Sequence, residues 1–537
     1  MHWFDELLDE VASFVKGREP VVVNGGLSVS GLQHVGRLRG EITLAHALAR
    51  ALREEGHHTW QNLILYTQDE WKGKPDQLAQ FSGDTGKEFI GRRQIDVPDP
   101  LGCHANWTEH FWQDFGGVLD RFAPRVMVET TTDAYRKPAM KALVRDLAGR
   151  AEEVRALVNK YRARHPYPSG WIPYEAYCNA CHRIGATTLS IEADRVRYRC
   201  DRCGAEGESS IELGKLNWRL EWPALWKVFG VAVEPFGKDH ATPGGSRDSC
   251  KDIAEHIMGF EPPFGIPYEW VGVESHGRDL GDMGSSDFLG FTPKDWLRVG
   301  DPEVLRFVYT SVPRFRRVAL DLWRTDVYHD NYDAAERTYF SAKEDEDLAR
   351  SYELAQVGTP PVAAPYRVPY RHAAFLSQIS PEAGRVEWCV RRLRDTGVLA
   401  RDLAPAETAA LARRIDQART WVERHAPENK VVLLERLTDE VRSSLTAADR
   451  ASLARYAERA AVGPWREEEI KATMVSLTSS GALPVDTPQF FRNVYLVLLG
   501  TATGPRAAPF LAVLDRQFVL GRLLEAATGR PVLSPDS

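Results

Sequence analysis

Twice along this chain, a short β-branched run closes on a glycine-bearing turn, passes into a helix-spaced stretch and returns as a second apolar run. The first unit is Val21-Val22-Val23, then Asn24-Gly25-Gly26, then Leu38 to Glu54 with Leu38, Ile42, Ala45, Leu48 and Leu52 on one side, then Leu63-Ile64-Leu65-Tyr66. The second is Val231-Ala232-Val233-Glu234, then Phe236-Gly237-Lys238-Asp239-His240, a helix near Asp248 to Met258, and Tyr268 to Val273. Strand, turn, helix, strand is the βαβ unit, whose crossover leaves its two strands parallel. The pattern predicts an α/β fold, a doubly wound parallel sheet split by an insertion, with ligand sites at strand C-terminal ends.

At 537 residues the chain exceeds one core, and about 150 residues per domain suggests three or four units. Residues 1–84 and 213–300 are the two halves of the Rossmann-like domain, with the opening helix marked by Phe4, Leu7, Leu8, Val11 and Val15. Between them lie a helix-rich insertion, 85–169, and a Cys-rich stretch, 170–212. A connector, 301–358, leads to Thr359-Pro360-Pro361-Val362-Ala363-Ala364-Pro365, a linker or helix break. From about residue 345 the composition shifts to Ala, Leu, Arg and Glu at helical spacing, so 359–537 is predicted to be all-α.

Hydrophobic content of 43% and charged content of 27% exclude a disordered, collagen-like or disulfide-framework chain. The longest apolar run, Val494 to Leu499, is about a third of the roughly 18 residues a spanning helix needs, so no membrane segment is predicted. Met1-His2-Trp3-Phe4-Asp5-Glu6 is acidic where a secretory signal is basic, which predicts a cytoplasmic protein. A net charge of −7 argues against a generically basic nucleic-acid binder. It leaves room for local patches such as Arg314-Phe315-Arg316-Arg317 and Arg391-Arg392-Leu393-Arg394, although a solvated face is the default for each.

Four of the seven cysteines form two pairs, Cys178-x2-Cys181 and Cys200-x2-Cys203, separated by 18 residues. Each pair sits on a tight turn that aims two thiolates at one point, and together they suit tetrahedral Zn2+. Val196 and Tyr198 alternate between the pairs as in a small ribbon hairpin. With four protein ligands no position is left for substrate, so the metal is structural.

Gly26 to Arg37 links the first strand to the first helix and carries His34 and Gly36. Free backbone N–H groups at such a helix start favour an anion such as a triphosphate, and a His at the mouth can donate to a phosphate oxygen. A plain Gly-rich turn with a capping His has the same spacing. No Walker lysine pattern or GxGxxG is present. In the second unit Gly237 permits close approach of a ligand and Asp239 can hold ribose hydroxyls, though such loops also occur without a ligand. Cys103-His104 with Glu109-His110 suggests a second metal, but a helix cap with one buried Cys explains it more simply.

Taken together these pieces resemble class I lysyl-tRNA synthetase, the archaeal-type enzyme. The resemblance starts at His2-Trp3 and runs through Gly31-Leu32-Gln33-His34-Val35-Gly36 (the "HIGH" element), Val97-Pro98-Asp99-Pro100-Leu101-Gly102-Cys103-His104 and the zinc ribbon. It continues through Asp239-His240, Tyr268-Glu269-Trp270-Val271-Gly272 and Pro302-Glu303-Val304-Leu305-Arg306, and ends at Gly504-Pro505-Arg506-Ala507-Ala508-Pro509-Phe510-Leu511. It implies lysine activation by ATP with Mg2+, then transfer of the lysyl group to tRNA, with no covalent enzyme intermediate. His34 and Gly36, with Ser285 and Ser286 of the mobile "KMSKS" loop, are the catalytic set it implies. Gly237, Asp239 and His240 fall near the adenosine, while Gly26, Ser28, Trp222, Tyr268 and His240 fall in the lysine pocket, with Asp69 and Glu41 as its acids. Residues 301–358 correspond to a stem-contact-like connector and 359–537 to an α-helical anticodon-binding cage. The implied partners are lysine and its tRNA isoacceptors; a monomer is favoured.

Three features depart from the resemblance. In Asp282-Met283-Gly284-Ser285-Ser286-Asp287 both lysines of the loop are Asp, with Arg278 and Lys294 as candidate substitutes. Arg37 stands where the family has Asn, and Tyr66-Thr67-Gln68-Asp69 carries fewer acids. The alternatives are a catalytically impaired paralogue that binds tRNA or regulates, and a paralogue adenylating another amino acid.

Overall fold

The computed structural model describes residues 2–341 and 345–530; Met1 of the acidic N-terminal segment and residues 531–537 of the helical C-terminal expectation lie outside the described residues. By internal packing the chain divides into two units, one of Met1–Leu297, Asp301–Arg324 and Ala334–Ala363, the other of Arg298–Gly300, Thr325–Asp333 and Ala364–Ser537.

The first unit is built on a five-stranded sheet. In spatial order its strands are Phe264–Tyr268, Val231–Gly237, Val21–Leu27, Thr59–Leu65 and Met127–Thr130, every neighbouring pair parallel. Val21–Leu27 sits in the middle and is buried along nearly its whole length, as a β-branched run covered on both faces must be. The winding direction reverses between Val21–Leu27 and Val231–Gly237, which opens a crevice beyond their carboxyl ends. Met127–Thr130 was not foreseen inside the helix-rich insertion; it is a four-residue edge strand with Met127 and Val128 exposed, so it carries no core signal.

Two elements differ from their expected form. Leu38 to Glu54 is not one α-helix: a 3-10 turn, Val35–Leu38, passes into a π-helix, Arg39–Leu44, before the α-helix Ala45–Glu54. The wider turn buries Arg39, Gly40 and Glu41 together, a combination that an apolar 3.6-residue period cannot reveal. Tyr268 to Val273 is likewise two strands. The Arg39 guanidinium donates to the Glu269 carbonyl at 2.9 Å, the chain bends there, and Val271–Ser275 joins a separate three-stranded sheet with Arg278–Asp282 and Val318–Leu320.

The Cys-rich stretch is a five-stranded antiparallel sheet: Tyr174–Tyr177, Ile184–Glu192, Arg195–Arg199, Glu206–Ser210 and Lys215–Leu216. Val196 and Tyr198 point inward as their alternation predicts. They share one core with Met140, Val144 and Leu147 of the helix Pro138–Gly149 and Leu220 and Leu225 of the helix Trp218–Phe229, so the ribbon is anchored to the wall of the crevice.

The described residues of the second unit form helices, among them Tyr370–Ile379, Pro405–Arg424, Ala447–Ala460 and Thr487–Leu499. Inside it Arg414 and Asp333 form a buried ion pair. Among the described residues, no helix is long and apolar enough to cross a membrane.

Candidate active site

A cavity of about 340 Å³ opens at the sheet crevice. Its lining includes Gly26 and Ser28 from the end of Val21–Leu27, Gly237 and His240 from the end of Val231–Gly237 and the loop after it, and Asp69 and Trp222 between them. Backbone approaches closely at both ends. A methyl group on Gly26 falls 2.9 Å from the Tyr66 ring, and one on Gly237 falls 2.7 Å from Asp239 Oδ1. The His240 ring stands edge-on to Trp222 with centroids 5.0 Å apart. Asp239 is exposed at the rim and is not part of the lining.

Four carboxylates face this cavity: Glu41, Asp69, Glu221 and Glu234. Three of them are held by cations of the chain itself. Lys215 is 5% exposed, and its ammonium bridges Asp69 and Glu221 and lies 2.8 Å from the latter. Glu234 receives Arg247 at 2.6 Å, Trp226 Nε1 at 2.8 Å, Asn24 Nδ2 at 2.9 Å and Trp222 Nε1 at 3.2 Å. Glu41 alone has no ion-pair partner among the described residues. It accepts from the Tyr268 hydroxyl at 2.6 Å on each oxygen, and burial, countered by that hydrogen bond, pushes its carboxyl up to about 7. Tyr268 itself lies behind Glu41 rather than on the cavity wall. Its ring packs over Gly40, where a methyl would fall 2.0 Å away, so the π-helix, the glycine and the Glu41–Tyr268 contact form one arrangement.

His34 caps the 3-10 turn Val35–Leu38. Burial, reinforced by the Arg37 charge, lowers its imidazole to about 3, so it is neutral at physiological pH and can donate one hydrogen bond. A methyl on Gly36 would fall 2.8 Å from His34 Nδ1, so the glycine's bare backbone accommodates the imidazole as well as leaving a flat surface. The loop bearing Ser285 and Ser286 lies over the Gly31 turn: a methyl on Gly31 would fall 2.4 Å from the Ser285 carbonyl oxygen, and the Val35 amide donates to Phe291 O at 2.9 Å. Arg37 Nε donates to Ser285 Oγ at 2.8 Å.

All seven cysteines are free thiols. Cys178, Cys181, Cys200 and Cys203 converge, with Sγ–Sγ separations of 3.7 Å for Cys178–Cys203 and 3.8 Å for Cys181–Cys200. A tetrahedron with Zn–S bonds of about 2.3 Å has an edge of about 3.8 Å, so these four fit the metal. A second donor set gathers at Asp99, Cys103, His104 and His110, all ligand atoms within 4.8 Å of one another. This departs from the simpler expectation there. Cys103 is exposed rather than buried, the helix cap is Asn106, and the carboxylate in the cluster is Asp99 in place of Glu109.

Spacing missed Glu221 and Glu234 as wall residues and Lys215 as the cation behind them, whereas Arg37, a departure from the resemblance, does line the cavity. Glu234, ending a Val-Ala-Val run, and Glu221, set in an aromatic helix, are acids inside apolar stretches, and that mismatch is the signal that could have found them.

Residues 1–358 match the family described as "tRNA synthetases class I (K)". The chain is 41% identical to a lysine–tRNA ligase from Aeropyrum pernix, over 98% of both chains. It is 30% identical to one from Pyrococcus horikoshii, over 97% of this chain and 99% of the other.

Proposed function

Since the chain belongs to the class I lysyl-tRNA synthetase family, we propose that it activates lysine with ATP and transfers the lysyl group to its tRNA. The observation that carries the substrate assignment is Glu41. Of four acids at the cavity it is the one without an ion pair, the Arg37 charge acting on it only from a distance, and an ammonium of the substrate completes it. The Trp222 and Tyr66 rings flank the path to it and suit the aliphatic stem of lysine.

Gly26 and Gly237 then let the lysine carboxylate and the nucleotide approach the two strand ends from either side. The carboxylate attacks the α-phosphorus, the α–β phosphoanhydride bond breaks, and pyrophosphate leaves. Neutral His34 donates to a phosphate oxygen without adding charge, and Ser285 and Ser286 offer hydroxyl donors from the loop. Positioning and fixed dipoles supply the catalysis, since no protein nucleophile is required. Asp239 at the rim meets ribose hydroxyls, and Mg2+ accompanies the ATP phosphates. The helical second unit is the anticodon-binding part of the chain. The four-Cys ribbon holds structural Zn2+, and the Asp99–Cys103–His104–His110 set is a second zinc site of mixed donors.

Lysine-dependent ATP–pyrophosphate exchange by the purified protein tests this reading. Exchange with lysine, and not with a panel of other amino acids, is the expected result. Exchange only with a different amino acid transfers the activity to that substrate; none with any, alongside retained tRNA binding, leaves a tRNA-binding paralogue.

A further inference from the structure

Both aspartates of the loop Asp282–Asp287 are answered by cations from elsewhere in the first unit. Arg317 holds Asp282 at 2.7 Å and Asp279 at 2.7 Å. Lys74 lies 3.3 Å from Asp287 Oδ1 and donates to Ser286 Oγ at 2.7 Å. Of the two candidate substitute cations, Lys294 is paired with Asp114 at 2.8 Å, and Arg278 is exposed at the start of the hairpin strand Arg278–Asp282. Arg37, on the floor, bonds the neighbouring Ser285. Two cations, Lys74 and Arg37, therefore converge on the two adjacent hydroxyls of one loop.

Lys74 is also tied to the nucleotide turn. Its backbone N–H donates to Gln77 Oε1 at 2.8 Å, and the buried Gln77 amide donates to the Ser30 carbonyl at 2.7 Å. Ser30 belongs to the same turn as Gly26 and Ser28. The Lys74 side chain is 44% exposed, so its contact with Asp287 is a weak, solvent-screened pair that an incoming polyanion can displace.

We infer that Lys74, with Arg37, binds the departing pyrophosphate of ATP, so that the positive charge absent from the loop is supplied by the framework beneath it. This rests on the ATP-dependent activation proposed above. When the α–β bond breaks, negative charge accumulates on the leaving group, and Lys74 exchanges Asp287 for it. Asp287 is then a placeholder that keeps the cation aimed at the loop when no nucleotide is present.

The test is steady-state pyrophosphate exchange with Lys74→Met, Asp287→Asn and the double variant Lys74→Met/Asp287→Lys. Lys74→Met lowers kcat roughly 10²-fold with the KM for lysine unchanged. Asp287→Asn, which frees the ammonium from its competitor, lowers the KM for ATP. The double variant regains most of the lost kcat, since it returns a cation to the same place. Equal losses in Lys74→Met and Asp287→Asn indicate a merely structural ion pair and overturn the inference, as does a Lys74→Met kcat near that of the unmodified protein. Calorimetric titration with inorganic pyrophosphate gives a readout independent of turnover. Weaker binding by Lys74→Met supports the inference even where exchange with lysine is absent and the activation reading fails; unchanged binding rejects it.

Discussion

The Tyr268 hydroxyl lies 2.6 Å from each carboxylate oxygen of Glu41, and both side chains are buried. One phenol thus holds a carboxylate in a fixed plane at the crevice without forming an ion pair, and the Arg37 charge reaches it only from a distance. Replacing Glu41 with Gln keeps the shape and removes the charge. A hydrogen bond to a charged group contributes about 1.5–3 kcal/mol, so the KM for lysine rises roughly 10- to 100-fold with a smaller change in kcat. Exchange kinetics across a lysine titration measure it; an unchanged KM removes Glu41 from the pocket.

The raised carboxyl of Glu41 fixes the direction of a pH effect. Burial favours the neutral acid, so below about pH 7 the free protein carries Glu41 protonated, while an ammonium binds the carboxylate. The kcat/KM for lysine should climb about tenfold per pH unit up to that point and then level, because lysine binding must release the proton. The same group favours folding at low pH, fully below its unfolded value near 4.5, and that contribution fades as pH rises through about 7. A Glu41→Gln profile without the acid limb completes the check.

Gly40 admits no side chain, since a methyl there meets the Tyr268 ring at 2.0 Å. Gly40→Ala therefore drives the ring off Glu41. Overpacking of this kind costs about 1–3 kcal/mol, seen as a lower Tm, and the KM for lysine rises as the hydroxyl contact to Glu41 is lost. Normal lysine affinity in Gly40→Ala would show that the hydroxyl contact is dispensable.

Metal content should be two equivalents of zinc per chain. Cys200→Ser removes one and loosens the ribbon; structural zinc in small peptides contributes about 10–16 kcal/mol, so the loss lowers the Tm substantially. His110→Ala removes the other equivalent and leaves the ribbon's zinc in place. Elemental analysis of the two variants separates the sites, and a zinc-free protein with native Tm contradicts both.

The parallel sheet and the cysteine ribbon were legible because each is written locally, in β-branched runs closing on glycine turns and in fixed Cys spacing. The cavity wall was only partly so. Lys215 meets Asp69 across 146 positions, and Arg37 meets Ser285 across 248, separations that no local periodicity encodes. The π-helix at Arg39–Leu44 escaped notice because its inward face carries Arg and Glu, which an apolar stripe treats as surface. At Cys103 the neighbouring histidines were visible, but Asp99, the carboxylate that joins them, precedes a proline and reads as a turn residue.

Lys215 has a further effect on selectivity. By occupying Asp69 and Glu221, while Arg247 occupies Glu234, it leaves Glu41 as the one acid of the four open to an incoming ammonium. A multiply charged amine therefore finds one free carboxylate here rather than four, which predicts weak competition with lysine in the exchange assay.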